Sequence, residues 1–369
     1  MRKSILASFT VAALAALLLT GCEREIDMTG RPVEFSAEIS DDLTDTRSFM
    51  PETRVVYGVE ASGAQALDWL TGDRITIYCA QCKEKSSVYR VKEIAQGSTT
   101  DMNSYAGIED AGVAGLCWGT GQHMFYAVYP CTDTDGSAAT ITGKDITGVI
   151  PATQSFTGIT GTNAKTVAPD MKNMYMVSKA GPFTPSTSSV TLTFKPLSTA
   201  LGFTITNKFE DTKSDMKVNS ISLVSTGHAL NGGFAVDMDQ NGSYGRPKTT
   251  LASGTTAADN GTVTISFSTP VTIKYGETLN FTFFLNPGND TEVNDLTFVI
   301  NGTNAGNSKT FTRRAKLEDK DGHGVTFKTH QKTSISGLMV PEGVKWTINY
   351  NQILVTSWDN GIEDDLDME

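Results

Sequence analysis

Residues 33–39 read Val33-Glu34-Phe35-Ser36-Ala37-Glu38-Ile39, and this stretch decides the fold class. Its apolar residues alternate with polar ones, which is the pattern of a β-strand with one buried face. The same alternation returns in Val190-Thr191-Leu192-Thr193-Phe194. Similar β-branched and aromatic runs recur at intervals of roughly 10 to 20 residues, with Gly, Asn and Asp between them. The pattern predicts an all-β protein made of β-sandwiches rather than βαβ units.

A further alternating segment lies near the C-terminus, at residues 345–358. Trp346, Ile348 and Tyr350 alternate with polar residues, and Ile353 and Val355 do so in a register shifted by one. Such a shift predicts a bulge or a switch from one sheet to another.

The length of 369 residues exceeds what one hydrophobic core comfortably supports, which predicts two domains. Pro182, Pro185 and a neighbouring Ser/Thr cluster make the clearest break. We therefore expect one β-sandwich domain over 31–185 and a second over 186–369. The net charge is −11 and no basic cluster is present, so nucleic acid is not an expected partner.

The first 21 residues have the pattern of a secretory signal peptide. Arg2 and Lys3 precede an apolar run that is shorter than the ~20 residues needed to span a bilayer. The run closes on Leu19-Thr20-Gly21-Cys22, which fits the bacterial lipobox. Cys22 is then the lipidated residue, 22–30 is a tether, and the rest of the chain lies outside the cytoplasm. The alternative is an ordinary signal peptide that happens to end near a cysteine.

Residues 40–55 separate the first predicted strand from the rest of the chain. They are polar and acidic, and they contain Arg47 and Arg54. This composition predicts an exposed loop of the kind that proteases cut.

Four cysteines follow Cys22, namely Cys79, Cys82, Cys117 and Cys131. Outside the cytoplasm they allow three disulfide pairings, among which the sequence does not choose. Cys79 and Cys82 also have the spacing of a redox motif or half a zinc site. Because they follow a strand rather than open a helix, we favour disulfides or free buried thiols over redox or metal chemistry.

No catalytic motif is present. The sequence contains no HExxH, GxSxG or P-loop pattern, and its four histidines are not at metal-ligand spacing from one another. We therefore expect a protein that is not an enzyme, with no metal and no cofactor.

Several short motifs occur in an order that resembles the fimbrillin family, the lipoprotein-derived subunits of type V pili. After the lipobox, the first strand and a Thr-Arg pair at Arg47, the motifs are Trp69-Leu-Thr-Gly-Asp73, Phe125-Tyr-Ala-Val-Tyr-Pro130, Ile-Pro-Ala-Thr-Gln154, Ala168-Pro-Asp170-Met171 and Val190-Thr-Leu-Thr-Phe-Lys-Pro-Leu197. The resemblance covers most of the chain. It departs from the family at Lys195-Pro196, where a histidine is common, and in the cysteines of the first half.

The resemblance implies two tandem transthyretin-like Greek-key β-sandwiches and a route of assembly. A lipidated precursor reaches the outer membrane, and an Arg-specific protease cuts after Arg47, or after Arg54 as the second choice. The strand within 31–39, with Val33, Phe35, Ala37 and Ile39, is then displaced. A neighbouring subunit's C-terminal strand fills the groove, and here that donor would be 345–358, with Trp346, Ile348, Tyr350, Ile353 and Val355.

The resemblance thus implies a pilus subunit of the cell surface whose partners are other subunits and the outer membrane, with adhesion as its role. No motif identifies an adhesion receptor. Three alternatives stay open: an anchor or tip subunit of the same fold, a glycan-binding surface lipoprotein, and a C-terminal strand that stays in its own domain. A glycan-binding protein would need exposed aromatic platforms, whereas all four Trp lie in or beside strand-like segments.

Overall fold

The computed structural model describes residues 27–39, 56–61, 64–95, 105–131, 139–242, 246–288, 293–318, 331–341, 348–349 and 352–357. Their regular secondary structure is almost entirely β-strand, which confirms the predicted all-β class. Two short helices interrupt the strands, a 3-10 turn at Met171–Asn173 and the single-turn helix α1 at Ala257–Asn260.

The strands of the first half, in chain order, are β1 (Phe35–Ile39), β2 (Val56–Ala61), β3 (Ala64–Asp68), β4 (Arg74–Tyr78), β5 (Ser86–Ala95), β6 (Tyr105–Asp110), β7 (His123–Tyr129), β8 (Thr140–Thr142), β9 (Asp145–Ile150), β10 (Thr153–Gln154), β11 (Phe156–Thr160), β12 (Ala164–Pro169) and β13 (Met176–Phe183). Those of the second half are β14 (Val190–Pro196), β15 (Thr199–Lys208), β16 (Met216–Val224), β17 (Gly232–Asn241), β18 (Pro247–Leu251), β19 (Thr262–Ile273), β20 (Thr278–Leu285), β21 (Thr297–Asn304), β22 (Lys309–Glu318), β23 (Gln331–Pro341), β24 (Ile348–Asn349) and β25 (Gln352–Ser357).

Seven strands close into a ring in the order β1-β14-β13-β7-β4-β5-β6, with β6 returning to β1. Their inward side chains form one apolar core, because alternate residues of each strand point to the same side. The bulkiest members of this core include Phe35, Trp69, Trp118, Phe125 and Phe194.

Two six-stranded sheets pack face to face as a sandwich. Their orders are β10-β19-β16-β21-β22-β24 and β11-β12-β20-β15-β23-β25. A second apolar core contains side chains from both sheets, including Phe203 and Phe281 from one and Ile221 and Phe298 from the other. Phe298 stacks on both Phe203 and Phe281, with ring centroids 5.1 and 5.8 Å apart.

A four-stranded sheet, β18-β17-β9-β8, covers the outer face of the ring. Val128 and Val177 from the ring pack with Ile146 and Phe234 from this sheet in a third apolar cluster. Strands β2 and β3 form a separate two-stranded hairpin.

Strands from the two halves of the chain are interleaved in these sheets. β10 pairs with β19 and β12 pairs with β20, with β11 on the other side of β12. In the ring, β14 pairs with β1 and β13. The two strands on either side of Pro185 therefore lie in one sheet. The division of the chain near Pro185, like the transthyretin-like Greek-key topology, stays a prediction.

The shifted alternation near the C-terminus corresponds to a switch of sheet. β24 pairs with β22 in one sheet, and β25 pairs with β23 in the opposite sheet. Among the described residues, no helix has both the length and the apolar character needed to cross a bilayer.

Candidate functional site

Strand β1, the first of the described strands, lies between two others. All five residues of β1 pair with β14 in parallel, from Phe35 opposite Val190 to Ile39 opposite Phe194. Three of them also pair with β6 in the antiparallel sense. Strand β1 is therefore the piece that closes the ring, and its two neighbours would become sheet edges without it.

The alternating apolar residues in and just before β1 are buried, as the sequence predicts. Val33 and Phe35 are each 5% exposed, and Ala37 and Ile39 are fully buried. Phe35 makes edge-to-face contacts with Tyr89 and Phe125, both with ring centroids 5.1 Å apart. The face of β1 that enters the core is thus complementary to an aromatic trough on the opposite strands.

The segment before β1 is held by backbone hydrogen bonds to residues 116–118. The N–H of Gly30 donates to the Trp118 carbonyl at 2.7 Å, and the N–H of Val33 donates to the Leu116 carbonyl at 2.9 Å. Trp118 donates in return to the Arg31 carbonyl at 2.9 Å. The contact of the N-terminal segment with the ring therefore begins several residues before β1.

The predicted donor residues lie partly within the described residues. Ile348 is opposite Leu317 in the β24–β22 pair, and Val355 is opposite Thr333 in the β25–β23 pair. Within the described residues, β25 is the last strand of its sheet and pairs on one side. Trp346 and Tyr350 fall outside the described residues, as do Cys22, Arg47 and Arg54.

Two of the four tryptophans belong to the core. Trp69 and Trp118 are each 1% exposed. They offer no aromatic platform for a glycan, in agreement with their expected packing role. Trp346 and Trp358 lie outside the described residues.

The four described cysteines form no disulfide with one another, and Cys79 and Cys82 are buried whereas Cys117 and Cys131 are partly exposed. The structure brings Cys79 and Cys82 together with His123, a grouping that was not predicted from the sequence. A hydrogen bond from the Cys82 thiol, against the opposing effect of burial, lowers the pKa of Cys79 to about 7. Burial lowers the pKa of His123. This end of the ring thus carries a polarised thiol pair and a neutral imidazole.

The proximity of His123 to the two cysteines follows from the way that strands β4 and β7 pair. β4 and β7 are antiparallel, with Tyr78 opposite Tyr126, so the residues after β4 lie beside those that begin β7. Spacing along the sequence does not contain this information.

Solved structures that align with the chain carry fimbrial and cell-adhesion names. A "putative cell adhesion protein" from Bacteroides ovatus aligns at 14% identity and a TM-score of 0.48, over 89% of this chain and 98% of that one. A fimbrial protein from Bacteroides vulgatus aligns at 12% identity and a TM-score of 0.35, over 77% and 92%. A fimbrial assembly protein from Parabacteroides distasonis aligns at 11% identity and a TM-score of 0.34, over 83% and 91%. No family model and no curated protein matches the chain.

Proposed function

We propose that the chain is a subunit of a surface fimbrium, exported as a lipoprotein and polymerised by exchange of a β-strand. The observation that carries the proposal is the position of β1 between β14 and β6. It is the first described strand of the chain, and residues 40–55, with both candidate cleavage arginines, follow it directly. A single cut there would separate it from every later strand.

Removal of β1 would leave two kinds of unsatisfied surface. The backbone N–H and C=O groups of β14 and β6 that face β1 would lose their partners. The trough that holds Phe35, Ala37 and Ile39 would open to water. An added strand satisfies both, which is the physical basis of strand addition to an open sheet edge.

The energy available is large compared with an ordinary transient contact. A donated strand of ~8 residues buries roughly 400–600 Å² of apolar area, or on the order of 10 kcal/mol before the cost of ordering the strand. Such a joint dissociates slowly, which suits a filament that carries mechanical load.

The proposed donor is the C-terminal segment 345–358. In its own sheet β25 is hydrogen-bonded along one side, to β23. In the groove left by β1 a strand would have β14 on one side and β6 on the other. Transfer of β25 therefore replaces backbone hydrogen bonds to one strand, β23, by backbone hydrogen bonds to two strands, β14 and β6. This gain in backbone hydrogen bonds favours the polymer.

Lipidation at Cys22 would hold the precursor at the outer membrane until cleavage. The tether 22–30 and β1 lie on the N-terminal side of the cut, so a cut after Arg47 releases the remaining chain from the lipid. Cleavage would thus perform two tasks at once, detaching the subunit and opening its groove.

N-terminal mapping of surface material by mass spectrometry tests the proposal. We expect filaments in electron micrographs and a mature N-terminus at Ser48, or at Val55 if Arg54 is cut. Arg47→Ala and Arg54→Ala form a matched pair, because the variant that removes the true site should accumulate lipidated precursor and the other should not. Filaments built of subunits that still begin at lipidated Cys22 would overturn strand removal as the mechanism.

A further inference from the structure

Two thiols and an imidazole converge at one end of the ring, and the proposed assembly mechanism uses none of them. The sulfurs of Cys79 and Cys82 and a ring nitrogen of His123 all lie within 4.8 Å of one another. All three side chains are fully buried. Buried groups of this type in mutual contact are ligands that a single metal ion could bind.

The turn that carries the two cysteines is held in place by its backbone. The N–H of Cys79 donates to the Lys85 carbonyl at 2.9 Å, and the N–H of Cys82 donates to the Cys79 carbonyl at 3.3 Å. The ammonium of Lys85 reaches back to the carbonyls of Ala80 and Cys82. These bonds fix the backbone of the turn before any ligand arrives, which lowers the ordering cost of binding.

The hydrogen bonds of His123 determine its tautomer. A carbonyl can only accept, so the 3.0 Å contact of Nδ1 with the Gly121 carbonyl makes Nδ1 the protonated nitrogen. The lone pair is then on Nε2, where the Gly119 N–H donates to it at 2.9 Å. An imidazole with one nitrogen anchored to a carbonyl and a lone pair on the other is the arrangement of metal-binding histidines.

The surroundings of the site are apolar and closely packed. The Trp118 ring meets the His123 ring edge to face at 4.9 Å, and Phe125 stacks on it at 6.1 Å. Gly119 lies so close to the Gln81 carbonyl that no side chain fits there. The chain segment next to His123 and the cysteine turn are therefore in direct contact.

We propose that Cys79, Cys82 and His123 bind one Zn²⁺ ion. Two thiolates and one neutral imidazole suit a borderline-soft ion at ~2.0–2.3 Å and do not suit Mg²⁺ or Ca²⁺, which take oxygen ligands. The two thiolates balance the charge of the ion, so the complex is neutral and tolerates burial. Binding releases two thiol protons to solvent, and the Nε2 lone pair passes from the Gly119 N–H to the metal.

The ion would join the turn after β4 to the first residue of β7. Both strands remain in the subunit after a cut at Arg47 or Arg54, so the site is independent of strand exchange. Its expected effect is a more stable ring.

Metal binding by the reduced full-length chain tests the proposal. We expect one equivalent of Zn²⁺ by elemental analysis, a raised melting temperature that EDTA reverses, and the absorption of Co²⁺ bound to thiolate when Co²⁺ replaces Zn²⁺. Cys79→Ser and Cys82→Ser should weaken binding by at least ~100-fold, because loss of a ligand costs more than loss of its supporting hydrogen bonds. His123→Gln should weaken Zn²⁺ binding to a similar extent. If this substitution of a buried residue prevents folding, the two serine variants are sufficient to test the proposal.

Cys131→Ser is the matched control, because Cys131 lies outside the group and should leave metal binding unchanged. Equal loss of binding in Cys131→Ser and Cys79→Ser would overturn the site. So would a Co²⁺ complex without thiolate absorption, or a Cys79–Cys82 disulfide in protein isolated from the bacterial surface and alkylated before purification.

Discussion

The side-chain amide of Gln154 forms two hydrogen bonds with the backbone of Phe284, 130 residues away in the sequence. Its Nε2 donates to the Phe284 carbonyl, and the Phe284 N–H donates to its Oε1 at 2.9 Å. Gln154 lies in β10, which pairs with β19, whereas Phe284 lies in β20 of the opposite sheet. The amide therefore imitates a neighbouring strand and links the two sheets of the sandwich.

Gln154→Ala should destabilise the protein by about 2–4 kcal/mol, because it leaves one buried donor and one buried acceptor of Phe284 without a partner. Urea unfolding measures the loss. Gln240→Ala is the control, since Gln240 is exposed and should change stability by less than about 0.5 kcal/mol. Equal effects of the two substitutions would contradict the structural role of Gln154.

A second prediction concerns the contribution of Asp295 to the pH dependence of stability. Partial burial acts to raise the pKa of this carboxyl, but hydrogen bonds from Ser225, His228 and the N–H groups of Gly227 and Thr226 outweigh it and hold the pKa well below its usual range. A depressed folded-state pKa gives stability that is complete above the unfolded value of ~3.9 and is lost as the pH falls below it.

We therefore expect Asp295→Asn to lower the free energy of unfolding by about 2 kcal/mol at pH 7. This is the size of effect typical of a hydrogen bond to a charged group. The same substitution should flatten the decline of stability between about pH 5 and pH 2. Chemical denaturation at a series of pH values measures both effects. Asp211→Asn is the control, because this side chain is exposed and its replacement should change the stability at pH 7 by less than about 0.5 kcal/mol.

Much of the strand content follows from local sequence. The alternation in Val190-Thr191-Leu192-Thr193-Phe194 predicts β14, and the observed burial follows it residue by residue. Likewise the aromatic run before Pro130 predicts β7. Such patterns identify a strand and its buried face because side chains of a strand alternate between the two faces of a sheet.

The partners of each strand could not be obtained in this way. Residues 153–169 offer only short, loosely alternating strands, and they join β19 and β20 instead of the ring. The contact between Gln154 and Phe284, which fixes this placement, joins residues that are 130 positions apart in the sequence. Similarly, Cys79 and Cys82 stand out in the sequence, but only the pairing of β4 with β7 shows that His123 lies beside them.

Cys22→Ala should abolish lipid labelling and membrane retention, because the lipobox motif predicts that the thiol of Cys22 is the acylated group. Metabolic labelling with a fatty-acid analogue and membrane fractionation check both outcomes. Cys131→Ser serves as the control, since it removes a cysteine that lies outside the lipobox. An unchanged membrane fraction for the Cys22 variant would refute lipid anchoring.

Deletion of 345–369 should give a folded monomer that does not polymerise after cleavage. The deletion removes β24 and β25, both at sheet ends, and leaves the apolar core between β15, β16, β20 and β21. Circular dichroism checks folding, and electron microscopy checks for filaments. An unfolded or aggregated product would mean that the segment is an integral part of its own domain.

Phe35→Ala should destabilise the precursor but not the assembled filament. In the precursor it removes a buried ring that contacts Tyr89 and Phe125, at a cost of about 3–5 kcal/mol. Filaments assembled from cleaved subunits lack residue 35, so their dissociation temperature should equal that of wild type. Phe234→Ala is the matched control, because this fully buried ring lies in β17 and should weaken precursor and filament alike. Filaments that lose stability with Phe35→Ala would show that β1 is retained after assembly.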